Sequence, residues 1–286
     1  MKNNQKQYYF LIFIVILNIF IWSFYFSLKS DDKLKVYFLD IGQGDAILVV
    51  TPNNNKILID GGPDSSVLNQ LGKVMGFFDR DINIILATHP DKDHIAGLPL
   101  VLNHYKVDYF IDSVADWSTN AYQTLENEAK DKNIMTFYGK RGMVIVLDKK
   151  HGVYLHILYP GGDDFTLTDN NDLSIVAKLV YGDTSFLLTG DATKLVENML
   201  DSTDGEYLKS TVLKAGHHGS DTSSSKTFVE IVDPKYSIIS AGLNNKYGHP
   251  KPITIKTLKE EGSEVLSTYE LGNIEFISNG TDVWVK

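Results

Sequence analysis

The sequence predicts an α/β (α+β) protein, a four-layer αββα sandwich preceded by one N-terminal transmembrane helix. Three observations predict it. Residues Tyr8 to Leu28 run without a single charge. From residue 34 onward, short β-branched runs fall in two blocks, each followed by stretches of helical spacing. Several of those runs end in aspartate, histidine or glycine, as buried strands do when they deliver side chains to a site. Strand-rich and α/β segments in that order pack as two sheets with helices on their outer faces.

As a helix, the stretch Tyr8 to Leu28 is roughly 30 Å long, the hydrocarbon thickness of a bilayer. Lys2 and Lys6 precede it, and Tyr8, Tyr9, Trp22 and Tyr25 resemble an interfacial belt, which places the N-terminus in the cytoplasm and the rest outside. The far side carries Lys29 and a mixed Asp31-Asp32-Lys33, a weaker orientation signal. A cleaved signal peptide is the rival reading. The run exceeds a usual signal core and no Ala-x-Ala-like site follows, so a retained single-pass anchor in the cytoplasmic membrane is expected, with the remaining chain extracellular. Residues 1–30 form the anchor and 31–286 one domain, since no repeat, low-complexity run or linker interrupts the latter.

The 43% hydrophobic fraction over 286 residues supports a real core. With no cysteine, a disulfide framework, a thiol nucleophile and a Cys-ligated zinc are excluded, so any metal must use His, Asp, Glu or Asn. A formal net charge of -9 argues against holding nucleic acid by a broad basic surface, though not against metal ions that neutralise a phosphate locally.

In chain order, Leu34–Leu39 alternates as a strand, Asp40–Asp45 turns with two glycines, and Ala46–Val50 returns. That turn reads equally as a plain hairpin connection or as backbone brought close to a charged group. Lys56–Ile59 is a strand ending in Asp60-Gly61-Gly62, and Asp60 is placed to accept a hydrogen bond from a ligating histidine and orient its ring. The run Ile82–Ala87 leads into Thr88-His89-Pro90-Asp91-Lys92-Asp93-His94-Ile95-Ala96-Gly97. His89, Asp91, Asp93 and His94 supply two imidazoles and two carboxylates within six residues, a mixture suited to zinc or manganese, where calcium would want oxygen almost alone. Helix capping by Asp93 would not call for two histidines. Ile95, Leu98, Leu102 and Tyr105 are spaced for one helix face over residues 94–105. Val107–Ile111 reads as a strand, Asn120–Lys132 as an exposed helix, and Met143–Leu147, Val153–Leu158, Leu173–Val180 and Ser185–Leu188 as a block of strands.

Phe186–Leu188 ends in Thr189-Gly190-Asp191, whose carboxylate either starts a turn or bridges two metals, one oxygen to each. Thr211–Gly216 ends in His217-His218-Gly219-Ser220. One of two adjacent residues points at a given metal, and His217 is the expected ligand, with His218 or Ser220 behind it or on the substrate. After Tyr236–Gly242, His249 either binds a phosphate oxygen, protonates a leaving group, or is simply solvated.

The segments LDIGQGDAILV, ILIDGG, THPDKDHIAG, NNDLSIVAKLVYGDTSFLLTGDA, VLKAGHHGSDTSSS and NNKYGHP resemble the metallo-β-lactamase fold superfamily. More specifically, they resemble the C-terminal hydrolase-like domain of ComEC-type DNA-uptake proteins, in the family's order over almost all of residues 34–286. The resemblance implies the αββα metallo-β-lactamase sandwich and one or two Zn2+ (or Mn2+) per chain. His89 and Asp91 would face one metal, Asp93, His94 and His217 the other, and Asp191 would bridge. Asp45, Asp60, Asp172 and Ser220 are expected to support those ligands from behind. Two departures stand out: Asp91 replaces the superfamily's histidine, as in ComEC-type domains, and Asn170, Asn171 and Asp172 occupy the segment where another histidine is expected. They imply a weak or vacant first metal site. ComEC-type proteins carry a many-helix channel, whereas this sequence has a single apolar span, so a tethered stand-alone hydrolase domain is expected.

The resulting expectation is phosphodiester hydrolysis, with single-stranded DNA at the cell surface as substrate. Asp93 or Asp191 would orient the attacking water, and His249 or His218 would serve the leaving group. A cell-wall phosphodiester such as phosphorylcholine teichoic acid is the alternative substrate. Its choline would need an aromatic cage, for which Trp117 is the one Trp in a loop expected near the site. A third reading is a non-catalytic DNA-docking or scaffold domain that keeps one metal.

Overall fold

The computed structural model describes residues 2–28, 32–113, 119–161 and 169–286, with side chains of the first helix given for residues 5–22. The Tyr25 and Trp117 side chains lie outside the described residues. By its contacts the chain divides into Met1–Asp32 and Lys33–Lys286. In the first unit, α1 (Lys2–Leu28) exposes the apolar side chains described for residues 8–22, Tyr8 and Trp22 among them, around its whole circumference. A helix apolar on all sides suits a lipid surround, and this one is long and apolar enough to cross a membrane.

In the second unit the predicted strands β1 (Leu34–Phe38), β2 (Ile47–Val50), β3 (Lys56–Ile59), β4 (Asp81–Leu86) and β5 (Lys106–Asp112) open the first sheet, joined by β6 (Met135–Tyr138), which the sequence did not lead us to expect. The second sheet follows with β7 (Val144–Asp148), β8 (Val153–Tyr159), β9 (Val176–Tyr181), β10 (Thr184–Leu188), β11 (Val212–Lys214), β12 (Tyr236–Ile239) and β13 (Glu264–Ser267). The chain then returns as β14 (Ile274–Ser278) and β15 (Val283–Val285) to close the first sheet in the order β15-β14-β1-β2-β3-β4-β5-β6. The second runs β13-β12-β11-β10-β9-β8-β7.

Period-two alternation assigns the faces. Along β1, Val36 and Phe38 point between the sheets, where they meet Phe186, Leu188 and Phe276. Tyr37 turns the other way, under α2 (Ser66–Val74). The outer face of the first sheet is further covered by α4 (Leu98–His104), which follows the short α3 (Lys92–Ile95), and by α5 (Asn120–Asp131). Helices α6 (Lys194–Thr203), α7 (Lys226–Val232) and α8 (Pro252–Glu260) cover the second sheet, followed by the short α9 (Thr268–Leu271). The four layers are those the sequence predicts. Phe276 is the hub of the inter-sheet core, its ring 5.3 to 6.0 Å from those of Tyr236, Phe38 and Phe186. Truncating such a buried ring costs roughly 3–5 kcal/mol.

Two local expectations are corrected. Residues 94–105 are two short helices rather than one, because the loop after β3 packs backbone to backbone at the junction: a Cβ on Gly97 would stand 2.0 Å from the Gly61 carbonyl oxygen. Leu173 belongs to a 3-10 turn (Asn171–Leu173), and the strand starts only at Val176. Strands β3 to β6 run parallel, as do β10 to β13, so the carboxyl ends of β3, β4, β10, β11 and β12 open on one side of the sandwich. Open α/β sheets hold their sites at such carboxyl ends.

Candidate metal centre

The arrangement begins one residue past β3. Asp60 takes a left-handed φ of 58° and is 1% exposed. Its Oδ1 accepts the Thr88 N–H at 2.8 Å, and its Oδ2 accepts both the Thr88 hydroxyl at 2.7 Å and His94 Nδ1 at 2.8 Å. The His94 proton therefore sits on Nδ1, a tautomer assigned from its partner, and the Nε2 lone pair points inward. Because the Thr88 hydroxyl donates to Asp60, its oxygen accepts from His89 Nδ1 at 3.0 Å. His89 Nε2 is thereby turned inward as well, where it is buried without a partner.

The second sheet repeats the device. His218 Nδ1 donates to the Ser240 carbonyl at 2.9 Å, and His217 Nδ1 to the Thr222 hydroxyl at 3.0 Å, which itself donates to Ser220 Oγ at 3.0 Å. Neighbours in a strand point to opposite faces. His217 and His218 escape that rule because both adopt left-handed backbone, with φ of 47° and 54°, and curl so that both rings reach the same centre. Non-glycine residues at positive φ are strained and tend to mark functional sites.

Asp191, at the tip of β10 and 4% exposed in its side chain, lies among these nitrogens. Its Oδ1 is 3.3 Å from His94 Nε2; its Oδ2 is 3.3 Å from His218 Nε2, 3.8 Å from His217 Nε2 and 3.9 Å from His89 Nε2. Asp93 Oδ2 stands 3.5 Å from His218 Nε2, and Asp91 Oδ2 stands 3.9 Å from His89 Nε2. The loop carrying Asp93 is held by the turn after β1: a Cβ on Gly44, at φ 126°, would stand 2.0 Å from the Asp93 carbonyl oxygen. Of the two glycines of that turn, Gly44 thus serves close approach, whereas a Cβ on Gly42, at φ 80°, would meet nothing within 4 Å.

One placement is corrected. The ring that meets Asp93 and His94 is His218, with His94 Nε2 and His218 Nε2 only 3.3 Å apart, while His217 stands farther off, 3.8 Å from Asp191 Oδ2. Ligand atoms of Asp45, His94, Asp191 and His218 all lie within 4.8 Å of one another. Asp45, however, approaches His218 from its Nδ1 side at 3.6 Å and is held at 2.8 Å by the buried Lys214 ammonium, so it backs the ring rather than sharing its lone pair. Ser220 supports His217 through Thr222. Asp172 accepts the hydroxyl of Thr193, the cap of α6, and so secures a helix start. Asn170 donates to Asp91 Oδ1 at 2.6 Å. His249 packs edge-on against His217, with ring centroids 5.4 Å apart.

The electrostatics follow from this packing. Burial opposes ionisation of Asp191, but His218 and His94 outweigh it and hold the carboxyl well below its usual range. In turn, burial pushes His94 and His218 down, and Asp191, with Asp60 beside His94 and Asp45 and Asp93 beside His218, carries both well above the ordinary imidazole value. So many carboxylates demand positive charge from protons or a cation. His89 is pushed to about 4 by burial and by His94. Burial and the neighbouring His217, His218 and Lys251 push His249 to about 4 as well. At neutral pH it can accept or donate a hydrogen bond but carries no extra proton for a leaving group.

A cleft of about 90 Å3 lies against the cluster, lined by Gln43, Asp91, Asp93, Asp191, His217, His218, Tyr247 and His249. Imidazole nitrogens and carboxylate oxygens alone, with His89 Nε2 and Asp191 Oδ1 buried and unpartnered, fit a divalent cation. Asp93, His94, His218 and Asp191 could hold one ion, and His89, Asp91, His217 and Asp191 a second. Sequence reasoning missed Gln43, Thr88 and Lys214, all inside the motifs it singled out, and the Ser240 carbonyl, a backbone group with no signal in the residue type.

Residues 39–242 match the family model described as the Metallo-beta-lactamase superfamily, and the chain belongs to that superfamily. Its fold is that of metal-dependent hydrolases. Among curated relatives, it is 29% identical over 274 residues to ComE operon protein 3 of Bacillus subtilis (strain 168), covering 90% of this chain and 34% of that protein. It is 30% identical over 247 residues to competence protein ComA of Neisseria gonorrhoeae (86% and 32% covered), and 29% identical over 255 residues to recombination protein 2 of Haemophilus influenzae (87% and 29%). The chain therefore spans about a third of the length of these relatives. Two solved structures share the fold: the metallo-beta-lactamase fold protein YhfI from Bacillus subtilis, at TM-score 0.57 and 11% identity over 88% of this chain and 100% of that one, and the metallo hydrolase Igni18 from Ignicoccus hospitalis, at 0.56 and 13% over 85% and 98%.

Proposed function

We propose that the chain is a metal-dependent phosphodiesterase that cuts single-stranded DNA outside the cytoplasmic membrane, to which α1 tethers it. The observation that carries this reading is the set of imidazoles around Asp191, each with Nδ1 committed to an outward acceptor and Nε2 facing the centre. When bound there, a divalent cation would acidify water and draw charge from the phosphate oxygens. Asp93 or Asp191, both kept ionised, would orient the attacking water. His249, neutral and at the rim, hydrogen-bonds a phosphate or leaving-group oxygen.

Relatives named for competence and recombination favour a nucleic acid. Beside the site, Lys92 and Lys246 stand with Asp64 and Asp93 along one groove, and their ammonium groups offer contacts to a phosphate. The deciding experiment measures bound zinc or manganese and turnover on one detergent preparation of the full chain, with single-stranded DNA and a choline phosphodiester as substrates. Metal-dependent cleavage of the DNA, lost in Asp191→Ala, is expected. Turnover that survives this substitution, or that appears only on the choline ester, overturns the proposal. The looser contacts of His89, Asp91 and His217 favour a second reading, a one-metal domain that binds DNA without cutting it, and one bound equivalent without turnover would select it. For the topology, the absence of native cysteine makes Lys256→Cys a clean probe: a membrane-impermeant maleimide should label it in intact cells, and labelling only after lysis refutes an external domain.

A further inference from the structure

Beside the metal-facing cleft opens a groove of about 460 Å3 that shares Gln43, Asp93 and Tyr247 with it. Its wall differs in kind. The cleft is imidazole and carboxylate, whereas the groove sets Lys92 and Lys246 beside Asp64 and Asp93 and adds Tyr247, a tyrosine 48% exposed. That tyrosine is nevertheless held in place. The Asn245 side chain accepts the Tyr247 and His249 N–H groups at 3.1 Å each and donates to the Gly242 carbonyl at 2.9 Å, and Lys251 donates to the Tyr247 carbonyl at 2.8 Å. The Tyr247 ring stacks on His249, centroids 5.8 Å apart at 24°, and the Lys246 ammonium stands 4.8 Å from its centre.

Where groove and cleft meet, Gln43 Oε1 accepts the Gly242 N–H at 3.3 Å, which leaves the Gln43 Nε2 amide buried without an acceptor. A buried donor left unsatisfied costs about 1–3 kcal/mol, so the structure keeps it where something else can accept. A fixed aromatic ring, an orphaned amide donor and two ammonium groups within one groove complement the three parts of a nucleotide: base, polar edge or phosphate oxygen, and phosphate charge.

We infer that this groove is the nucleotide subsite flanking the scissile phosphate, in which Tyr247 stacks an unpaired base while Gln43 and Lys246 hold the adjoining phosphate. The Lys246 ammonium, now over the ring, moves to that phosphate as the base takes its place. The inference rests on the phosphodiesterase reading and adds its selectivity: a base paired and stacked within a duplex cannot reach Tyr247, so single strands are chosen.

Two readouts on the full chain in detergent separate this inference from the reading beneath it. Binding of a fluorescent 12-nucleotide single strand is followed by anisotropy with the metal chelated, and cleavage of the same strand is followed with zinc or manganese present. DNA and RNA strands, a duplex, and a DNA strand carrying abasic sites serve as ligands. Tyr247→Ala is expected to weaken binding and raise KM for the single strand on the order of 10- to 100-fold, the worth of one stacked base. Tyr247→Phe should restore both, and on the abasic strand wild type and Tyr247→Ala should agree. Lys246→Ala should lower the slope of log affinity against log salt by about one phosphate contact. An equal loss on the abasic strand, no loss on the normal strand, or duplex bound as tightly as single strand overturns the subsite. If the strand binds through Tyr247 yet is never cut, the subsite stands and the phosphodiesterase reading fails; cleavage indifferent to Tyr247 gives the reverse.

Discussion

The four imidazoles around the Asp191 carboxylate fall into two pairs that differ. In one pair, His94 and His218 are fully buried, approach Asp191 to 3.3 Å, and are braced by a carboxylate and by a strand-end carbonyl. In the other, His89 and His217 stand 3.9 and 3.8 Å away, each braced only by a threonine hydroxyl, and Asp91 is 37% exposed. Asn170 occupies the segment where the superfamily's pattern expects a further histidine, and it binds Asp91 instead. The contrast teaches that the tightness of a ligand set follows the groups behind the ligands, since these fix tautomer and ring orientation before any ion arrives.

The strongest test of the comparison sets the adjacent histidines against each other. His218→Ala should eliminate tight metal binding and with it turnover, whereas His217→Ala should keep one equivalent by elemental analysis; equal losses would erase the distinction. Asp60→Asn comes next. It removes the charge behind His94 and should weaken metal binding about 10- to 100-fold by competition with a chromophoric chelator, while the same measurement on Thr222→Val should move the second equivalent only. Asn170→His tests the converse, since an added imidazole beside the loose pair should tighten the second equivalent about tenfold; unchanged affinity would mean that the Asn170 position does not face that ion.

The remaining effect concerns a carboxylate without imidazole neighbours. Asp112, at the end of β5, is as buried as Asp191 but faces the Tyr122 hydroxyl at 2.7 Å, and burial pushes its pKa up to about 7. An acid that holds its proton more tightly when folded lends stability that is intact below the unfolded pKa near 4 and is lost as pH rises through about 7. Asp112→Asn has no proton to lose. Its melting temperature should draw ahead of wild type by the equivalent of a few kcal/mol or less between pH 4 and pH 8, and a gap independent of pH would show that Asp112 is not the titrating group.

Much of the site was legible because its residue types have no packing purpose. Paired histidines and aspartates at the end of a β-branched run, as at His89 to His94, announce candidate ligands whatever the fold, whereas Asp191 by itself also read as the start of a turn. The groups behind them were only partly legible. Asp60 could be named because a carboxylate at a neighbouring strand tip suits a histidine N–H. Lys214 could not, because a lysine in an apolar strand gives no sign that it will be buried against Asp45. Gln43 and Tyr247 escaped for a similar reason, since an amide in a glycine turn and a tyrosine in a polar loop read as ordinary surface.

By itself, then, the sequence determined the four layers, the apolar helix and the inventory of candidate ligands, because hydrophobic period and residue chemistry are local properties. Only the tertiary structure decided which histidine meets which carboxylate. That choice depends on two successive left-handed residues at 217 and 218, and on five strand ends brought together from positions up to 180 residues apart, between Asp60 and Ser240. Such convergence is a property of sheet order and backbone handedness, and no short window of residues contains it.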